Sequence, residues 1–392
     1  MWIQREIEPF LKSVASKRPA LILTGCRQAG KTSLLRRVFS DYNYVTLDVP
    51  TVAEEAEHSG SQFLRNHRSP LIMDEVQYAP SILRWIKNEI DERRDENGLF
   101  CLTGSQKFPL MKGITESLAG RCSVLQCHSL SAREYERWKG VTVEGDSLLS
   151  FIFMGGYPEL HAKGLDPAFF YSDYLATYLE RDVRQALQVR SLRDFDRFMR
   201  LCAARNGQML SLSSLAGDVG VSPNTIKSWI TVLEASNVIY LLEPYYKNLG
   251  KRVTKSPKIY FLDSGLASFL LGFRSPDDLK GSTMLGALFE AYVIGQIVRH
   301  FANTGIGFPI YYYRDHYGHE VDFVIPIGDK FKLIECKWAE LPKQKIAGFE
   351  ELIRLIGEDK IISRTVISSS RGSRKTPSYA VEDSIDLNCL KN

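Results

Sequence analysis

The sequence predicts an α/β chain of three domains, and three observations carry that reading. A short apolar strand, a glycine-rich turn and a helix follow one another from Ala20 to Val38. A helix, a tight turn and a second, proline-started helix follow in the middle of the chain. Near the end, "EVDFVIPIGDKFKLIECKW" reads as two apolar strands joined by a turn, with acids placed at the strand ends. At 392 residues the chain exceeds one ordinary core. The expected divisions are 1–150, a parallel α/β sheet; 151–275, a mostly α unit; and 276–392, a second α/β domain.

Bulk properties narrow the classes without choosing one. Hydrophobic residues make up 44% and charged residues 24%, normal for a globular protein. The net charge of +4 permits nucleic-acid binding but does not argue for it, so a basic patch must be found locally. The seven cysteines are odd in number and contain no C-x-x-C pair, which reads as free thiols in a reducing cytoplasm. The N-terminus "MWIQREIEPFLKS" is charged and amphipathic, unlike a signal peptide. No apolar run approaches the ~20 residues of a membrane helix, so no membrane partner is expected.

In the first domain, Ala20 to Thr24 is the strand and Gly25 to Thr32 fits G-x-x-x-x-G-K-[ST]. Leu34, Leu35 and Val38 continue at helical spacing. Strand, glycine loop and helix in that order are the context this phosphate-loop motif requires. Backbone N–H groups of Gly25, Cys26, Arg27, Gln28, Ala29, Gly30, Lys31, Thr32 and Ser33 are expected to wrap ATP phosphates, with the helix N-terminus adding positive potential. Lys31 would reach the β- and γ-phosphates and Thr32 would ligate Mg²⁺. "PLIMDEVQYAP" supplies the partner acids at the end of a second buried strand: Asp74 for Mg²⁺ and Glu75 to orient and deprotonate water. An adjacent Asp-Glu pair points to hydrolysis rather than transfer to a substrate. "YVTLD", "LFCLTGS" and "SVLQCHSL" complete a sheet with its ligand at the strands' carboxyl ends. Ser105 or Thr103 then arrives as a polar sensor of the γ-phosphate. Arg121 precedes the last strand and is a candidate arginine finger, in its own or a neighbouring subunit; the alternative is a surface ion pair.

In the middle unit, Ser213 is expected to cap one helix and Ser222 a second, with Pro223 at the first position, where a missing N–H costs nothing. Ile226, Trp229, Ile230 and Leu233 form the buried stripe. Asn224, Lys227 and Ser228 lie opposite, as on a recognition helix. "KNLGKRVTKSPK" follows, with Lys247, Lys251, Arg252, Lys255 and Lys258 and no acid. Between two strand-like runs it resembles the wing of a winged helix, a footprint for DNA phosphates. Winged helices also serve as protein–protein joints, and that alternative stays open.

In the last domain, Glu335 and Lys337 stand two apart on one strand and so share a face. The hairpin brings Asp322 toward them, and Glu290 lies on an upstream helix. Carboxylates so grouped can bind Mg²⁺ or Mn²⁺, and a metal ion activates water against a phosphodiester. Glu290, Asp322 and Glu335 would hold the ion, and Lys337 would activate the water or neutralise developing charge. The plain alternative is a structural ion-pair cluster.

"GCRQAGKTSLL", "LIMDEVQ", "LTGSQ", "SLAGR", "GGYPEL", "YLERDVR", "SGLASFLLG", "LFEAYV", "EVDFVI" and "IECK" span nearly the whole chain. As a set they resemble the bacterial and archaeal AAA-like P-loop ATPases that carry a C-terminal restriction-endonuclease-like domain of uncharacterised function. The resemblance implies an additional-strand, catalytic-glutamate sheet with Glu75 activating water. It also implies a winged-helix-like middle and a PD-(D/E)-x-K type fold in which Asp322, Glu335 and Lys337 match the signature. Cys336 departs from the usual small aliphatic residue there. The expectation is a cytoplasmic ATPase that binds DNA and gates a metal-dependent nuclease, or a nuclease-derived clamp, in DNA processing or defence. The alternative is a nucleotide-driven switch whose C-terminal half binds a protein partner without catalysis. Either reading is compatible with a homo-oligomer.

Overall fold

The computed structural model describes residues 2–104, 117–178, 191–245, 256–307, 309–338 and 346–390. The first domain is built on β1 (Ala20–Gly25), β2 (Asn43–Thr46), β3 (Leu71–Asp74), β4 (Phe100–Thr103) and β5 (Cys122–Cys127). These pair in the order β2-β3-β4-β1-β5, all parallel. All six residues of β1 are buried. Alternate side chains point to opposite faces: Leu21 and Leu23 enter one core with Leu34 and Leu35, while Ala20 and Ile22 enter another with Ile82 and Ile86. Because β4 is inserted between β1 and β3, the phosphate-loop strand and the Asp74 strand are not direct neighbours. This is the additional-strand arrangement the resemblance implied.

The middle region is helical. Three of its helices are Leu192–Ala204, Leu212–Val219 and Pro223–Ala235. Ser222 accepts from the Thr225 N–H, with Pro223 in the first turn, as expected. The preceding cap is Ser211 rather than Ser213: its hydroxyl accepts from the Ser214 N–H, so the helix starts earlier than the reading placed it. Ile226, Trp229, Ile230 and Leu233 are buried, and Trp229 packs on Phe195 and Phe198 with ring centroids 5.1 and 5.2 Å away. A two-stranded antiparallel ribbon follows, β6 (Ile239–Leu242) with β7 (Lys258–Phe261).

The long helix Leu285–Thr304 leads into a six-stranded mixed sheet. Its strands are β8 (Tyr311–Arg314), β9 (Glu320–Ile327), β10 (Lys330–Lys337), β11 (Ile361–Ser368), β12 (Arg374–Lys375) and β13 (Ala380–Asp383), in the order β12-β13-β11-β10-β9-β8. β8, β9 and β10 run antiparallel, whereas β10, β11 and β13 run parallel. Helix Ala347–Ile356 covers one face through Phe349 and Leu352. Phe323, Ile325 and Ile334, on the other face, join Leu288 and Tyr292 of the long helix in the core that also contains Leu21 and Leu34. A single apolar core therefore connects the first sheet to the last. Among the described residues no helix is long and apolar enough to cross a membrane.

Candidate functional site

The phosphate loop leaves β1 at Gly25, whose φ is +141° and where an added Cβ would lie 1.9 Å from the Cys127 carbonyl oxygen. No side chain fits there, so the loop can start only at a glycine. Gly30, at φ +86°, caps the helix Lys31–Val38. Lys31 is buried and donates to the carbonyls of Gly25, at 3.1 Å, and Cys26, at 3.0 Å. The loop is pinned from outside by Arg5, which donates to Ala29 O at 3.0 Å and pairs with Glu134 at 3.1 Å. Arg27 donates to Thr177 O at 3.1 Å, at the end of helix Pro167–Tyr178. Burial pushes the Cys26 thiol up to about 11, against the opposing pull of Lys31, so it remains a neutral loop residue.

Asp74 ends β3 with its carboxylate turned toward the loop. Oδ1 accepts from Thr32 Oγ1 at 2.7 Å and from Thr103 Oγ1, and Oδ2 faces the Tyr44 hydroxyl at 3.4 Å. A hydroxyl beside a carboxylate is the hard-oxygen pair Mg²⁺ takes, so these residues fit the ion the fold implies. Glu75 follows at φ +56°, a left-handed conformation rare outside glycine. Its N–H donates to Thr103 Oγ1 at 3.0 Å, and its carboxylate accepts from the Gln77 amide. Thr103 thus links Asp74 to the Glu75 backbone. Ser105 lies outside the described residues.

Arg121 is not brought to this loop. It precedes β5, whose Cys122 pairs with Ala20 at the start of β1, whereas the loop begins at the far end, where Gly25 pairs with Cys127. It donates to both carboxylate oxygens of Asp91, at 2.7 and 3.0 Å, and that bonding holds the Asp91 carboxyl down at about 2. Within one chain the ion-pair alternative is the one the geometry displays.

The second cluster lies between the long helix and β9. Glu290, Glu320 and Asp322 offer oxygens that all lie within 4.8 Å of one another. Glu335 Oε1 pairs with Lys337 Nζ at 2.8 Å, while Glu335 Oε2 is buried with no hydrogen-bond partner among the described residues. Asp322 Oδ2 accepts from the Cys336 N–H at 2.8 Å. All four expected residues therefore gather here, but the tightest acid trio contains Glu320 where the sequence reading had Glu335. Burial first, then Glu290 and Glu335, push the Asp322 carboxyl well above the usual carboxylate range. Burial also raises Glu335, partly offset by Lys337.

Lys258 corrects the sequence reading. It is only 2% exposed and cannot serve as a phosphate contact on a wing. Its ammonium lies 3.0 Å from Glu290 Oε1 and pairs with Glu320 Oε1. Burial alone would lower its pKa, but Glu290, Asp322 and Glu320 outweigh that and hold it above the ordinary lysine value. The Tyr260 hydroxyl also donates to Glu290, and Arg314 pairs with Glu320 at 2.5 Å. Glu320 was legible in principle, since it stands two residues before Asp322 on the same strand and shares its face. Lys258 and Tyr260 come from a different sheet, and no local pattern announces them.

A buried polar hub lies beside the phosphate loop. Asp263 accepts from Ser129 Oγ at 2.8 Å, Gly156 N at 2.9 Å and the Tyr171 hydroxyl at 2.8 Å. Arg299 of the long helix donates to Ser129 O at 3.0 Å, Ser129 Oγ at 2.6 Å and Leu262 O at 2.9 Å. Cys26 of the phosphate loop lines the same small cavity as Ser129, Asp263 and Arg299. Of the expected DNA contacts, Asn224 and Lys227 are exposed on helix Pro223–Ala235. Lys251, Arg252 and Lys255 lie outside the described residues.

Residues 17–136 match the family model described as "AAA domain". Residues 145–277 and 285–380 match two models, each described as a domain of unknown function. The chain is 29% identical over 344 residues to the uncharacterized protein Rv2008c of Mycobacterium tuberculosis, covering 86% of this chain and 75% of that one. It is 23% identical over 312 residues to the uncharacterized protein MJ1637 of Methanocaldococcus jannaschii, covering 66% and 63%. Similar solved structures include the Walker-type ATPase PABY2304 of Pyrococcus abyssi, at 16% identity and TM-score 0.46, covering 69% of this chain and 96% of that one. Another is the Thermotoga maritima RuvB Holliday junction branch migration motor, at 14% identity and TM-score 0.31, covering 61% and 89%. With its family match and its loop–Asp74 geometry, the first domain is a P-loop ATPase domain of AAA type. The chain is accordingly an ATPase, carrying that domain ahead of two domains of unknown function.

Proposed function

We propose that this chain is a DNA-binding ATPase in which nucleotide turnover acts on a nuclease-like C-terminal domain. The observation that supports it is the pair of acidic sites in one chain, Thr32–Asp74–Glu75 at the phosphate loop and Glu290–Asp322–Glu335–Lys337 at the end of the long helix. In this reading Lys31 releases the Gly25 and Cys26 carbonyls and turns to the phosphates, while Thr32 and Asp74 would hold Mg²⁺, which would neutralise phosphate charge. Glu75 aligns water, its carboxylate held ready by Gln77. Thr103, bonded to both Asp74 and Glu75, passes the state of the site to β4. Arg121, pinned to Asp91 at the far end of its strand, serves a γ-phosphate only from a neighbouring copy, in a homo-oligomer.

The middle unit is read as a winged helix, with Asn224 and Lys227 facing DNA and Lys251, Arg252 and Lys255 extending the basic footprint. At the terminal cluster, Asp322, Glu335 and Glu290 would hold a divalent ion, and Lys337 stands beside the place where water would attack. The setting is cytoplasmic DNA processing or defence. The test is metal-dependent cleavage of plasmid and branched DNA by the wild type and by Asp322→Ala. Loss of cleavage in the variant supports the reading, and equal activity removes the nuclease claim.

One observation favours a second reading. Lys258 already neutralises the cluster from within, as in a structural ion-pair network. The C-terminal half would then bind a protein partner without catalysis and respond to nucleotide alone. No DNA retention at low salt, together with no cleavage, favours that reading.

A further inference from the structure

Lys258 reaches the acid cluster from another unit of the chain. It is the first residue of β7, whose partner β6 belongs to the helical middle region. The segment that follows β6 holds the ribbon against β8, the edge strand of the terminal sheet: Tyr245 N donates to Tyr312 O at 2.7 Å and Tyr312 N donates to Glu243 O at 3.1 Å. The Tyr312 hydroxyl also donates to the Ser256 carbonyl. The docked ribbon fixes where the Lys258 side chain can go, and it goes between Glu290 and Glu320.

We infer that Lys258 is the resident cation of this cluster, occupying the place of a divalent ion, so that a metal ion enters only when Lys258 leaves. The argument is steric and electrostatic. Mg²⁺ draws its oxygen ligands in to 2.0–2.1 Å and needs several of them. Two of the three convergent carboxylates, Glu290 and Glu320, are in contact with the ammonium instead. A cation there would meet Lys258 at a distance where two unshielded positive charges repel strongly. Removing the buried ammonium from two partly buried carboxylates, beside the buried Asp322, without replacement leaves uncompensated charge, which is costly. Metal entry and Lys258 departure are therefore linked. Glu335, with one buried oxygen unpartnered among the described residues, remains as a further ligand for the incoming ion.

This inference rests on reading the cluster as a metal-binding centre, and its test separates the two. In the full chain, Asp74→Asn is used as the common background and nucleotide is omitted, so that the ATPase site does not report. Mn²⁺ binding is then followed by electron paramagnetic resonance and by thermal unfolding. The Lys258-containing chain should show no Mn²⁺ at this cluster, whereas Lys258→Met should bind it at least about tenfold more tightly, since no ion pair to the buried ammonium must be broken. Mn²⁺ should also raise the melting temperature of Lys258→Met, and adding Asp322→Asn should abolish both effects. Should Lys258→Met fail to fold, Lys258→Gln keeps a donor for Glu290 without the charge and carries the same comparison. The inference is overturned if the Lys258-containing chain binds Mn²⁺ through Asp322 as tightly as the variant, or if neither variant binds it. DNA cleavage is assayed on the same samples. Mn²⁺ bound by Lys258→Met without cleavage leaves the inference standing and removes the nuclease reading alone.

Discussion

Glu290 and Arg299 stand on one helix, Leu285–Thr304, and each ends in a different site. At 1.5 Å per residue they are roughly 13 Å apart along its axis. Glu290 meets Lys258 and Tyr260 in the acid cluster, while Arg299 meets Ser129 just beyond β5, in the cavity that Cys26 of the phosphate loop also lines. A rigid element touching both sites gives a physical route by which nucleotide at one could bias the other.

The phosphate-loop chemistry gives the first prediction. Lys31→Ala removes the ammonium that the loop holds over its own carbonyls. ATP turnover should fall to background while the melting temperature changes little. Glu75→Gln keeps the shape but removes the base, so turnover should drop by about 10²-fold or more. ATP should remain bound, as read by nucleotide retained after rapid gel filtration.

Thr103 supplies the second. Its hydroxyl lies between the Asp74 carboxylate and the Glu75 N–H. Hydrogen bonds to charged groups contribute roughly 1.5–3 kcal/mol. Thr103→Val should therefore slow turnover by about 10- to 100-fold with a smaller change in KM, measured in steady-state assays.

Arg299 supplies the third. The guanidinium is buried and donates to two backbone carbonyls and the Ser129 hydroxyl. Arg299→Ala removes the donor from the Ser129 and Leu262 carbonyls and leaves Asp263 without its nearby cation. A loss of about 3 kcal/mol or more is expected, read as an earlier midpoint in urea unfolding. A surface arginine such as Arg354 should show almost no effect.

Asp322 gives a pH dependence. Its native pKa is raised by burial and by neighbouring acids. Below the ordinary Asp range near 4, the carboxyl is protonated in both the folded and the unfolded chain, and its full stability contribution is present. As pH rises toward the raised native value, the unfolded chain ionises and the folded one resists, so stability is lost. Asp322→Asn carries no such proton. The melting temperature of the variant relative to wild type should therefore rise between pH 4 and pH 8, by a few degrees. An unchanged difference across that range would contradict the assignment.

Much of the first domain was legible because its signals are local. A glycine loop between strand and helix, and an acid at the end of an apolar strand, need no knowledge of distant residues. The hairpin acids were legible for the same reason, since strand periodicity alone puts Glu335 and Lys337 on one face. What escaped is non-local. Lys258 looked like one more basic residue in an acid-free run, and only the docking of β6–β7 on β8 turns it inward. Asp263 reads locally as a helix cap, and it does accept from the Leu266 N–H at 3.2 Å. Its bonds to Ser129, Gly156 and Tyr171 join segments far apart in sequence. Arg121 shows the converse: a motif position suggested a finger, but strand register sets it at the opposite end of the sheet from the loop.

Action on DNA is read from steady-state ATP hydrolysis with titrated duplex and branched DNA. Wild-type turnover should rise with DNA at low salt and lose that rise as salt is added. Lys227→Ala should weaken the response and lower the salt slope by about one, and Lys31→Ala should show no turnover at all. Hydrolysis by the wild type that is the same with and without DNA at every salt concentration, with no DNA retained, would contradict it.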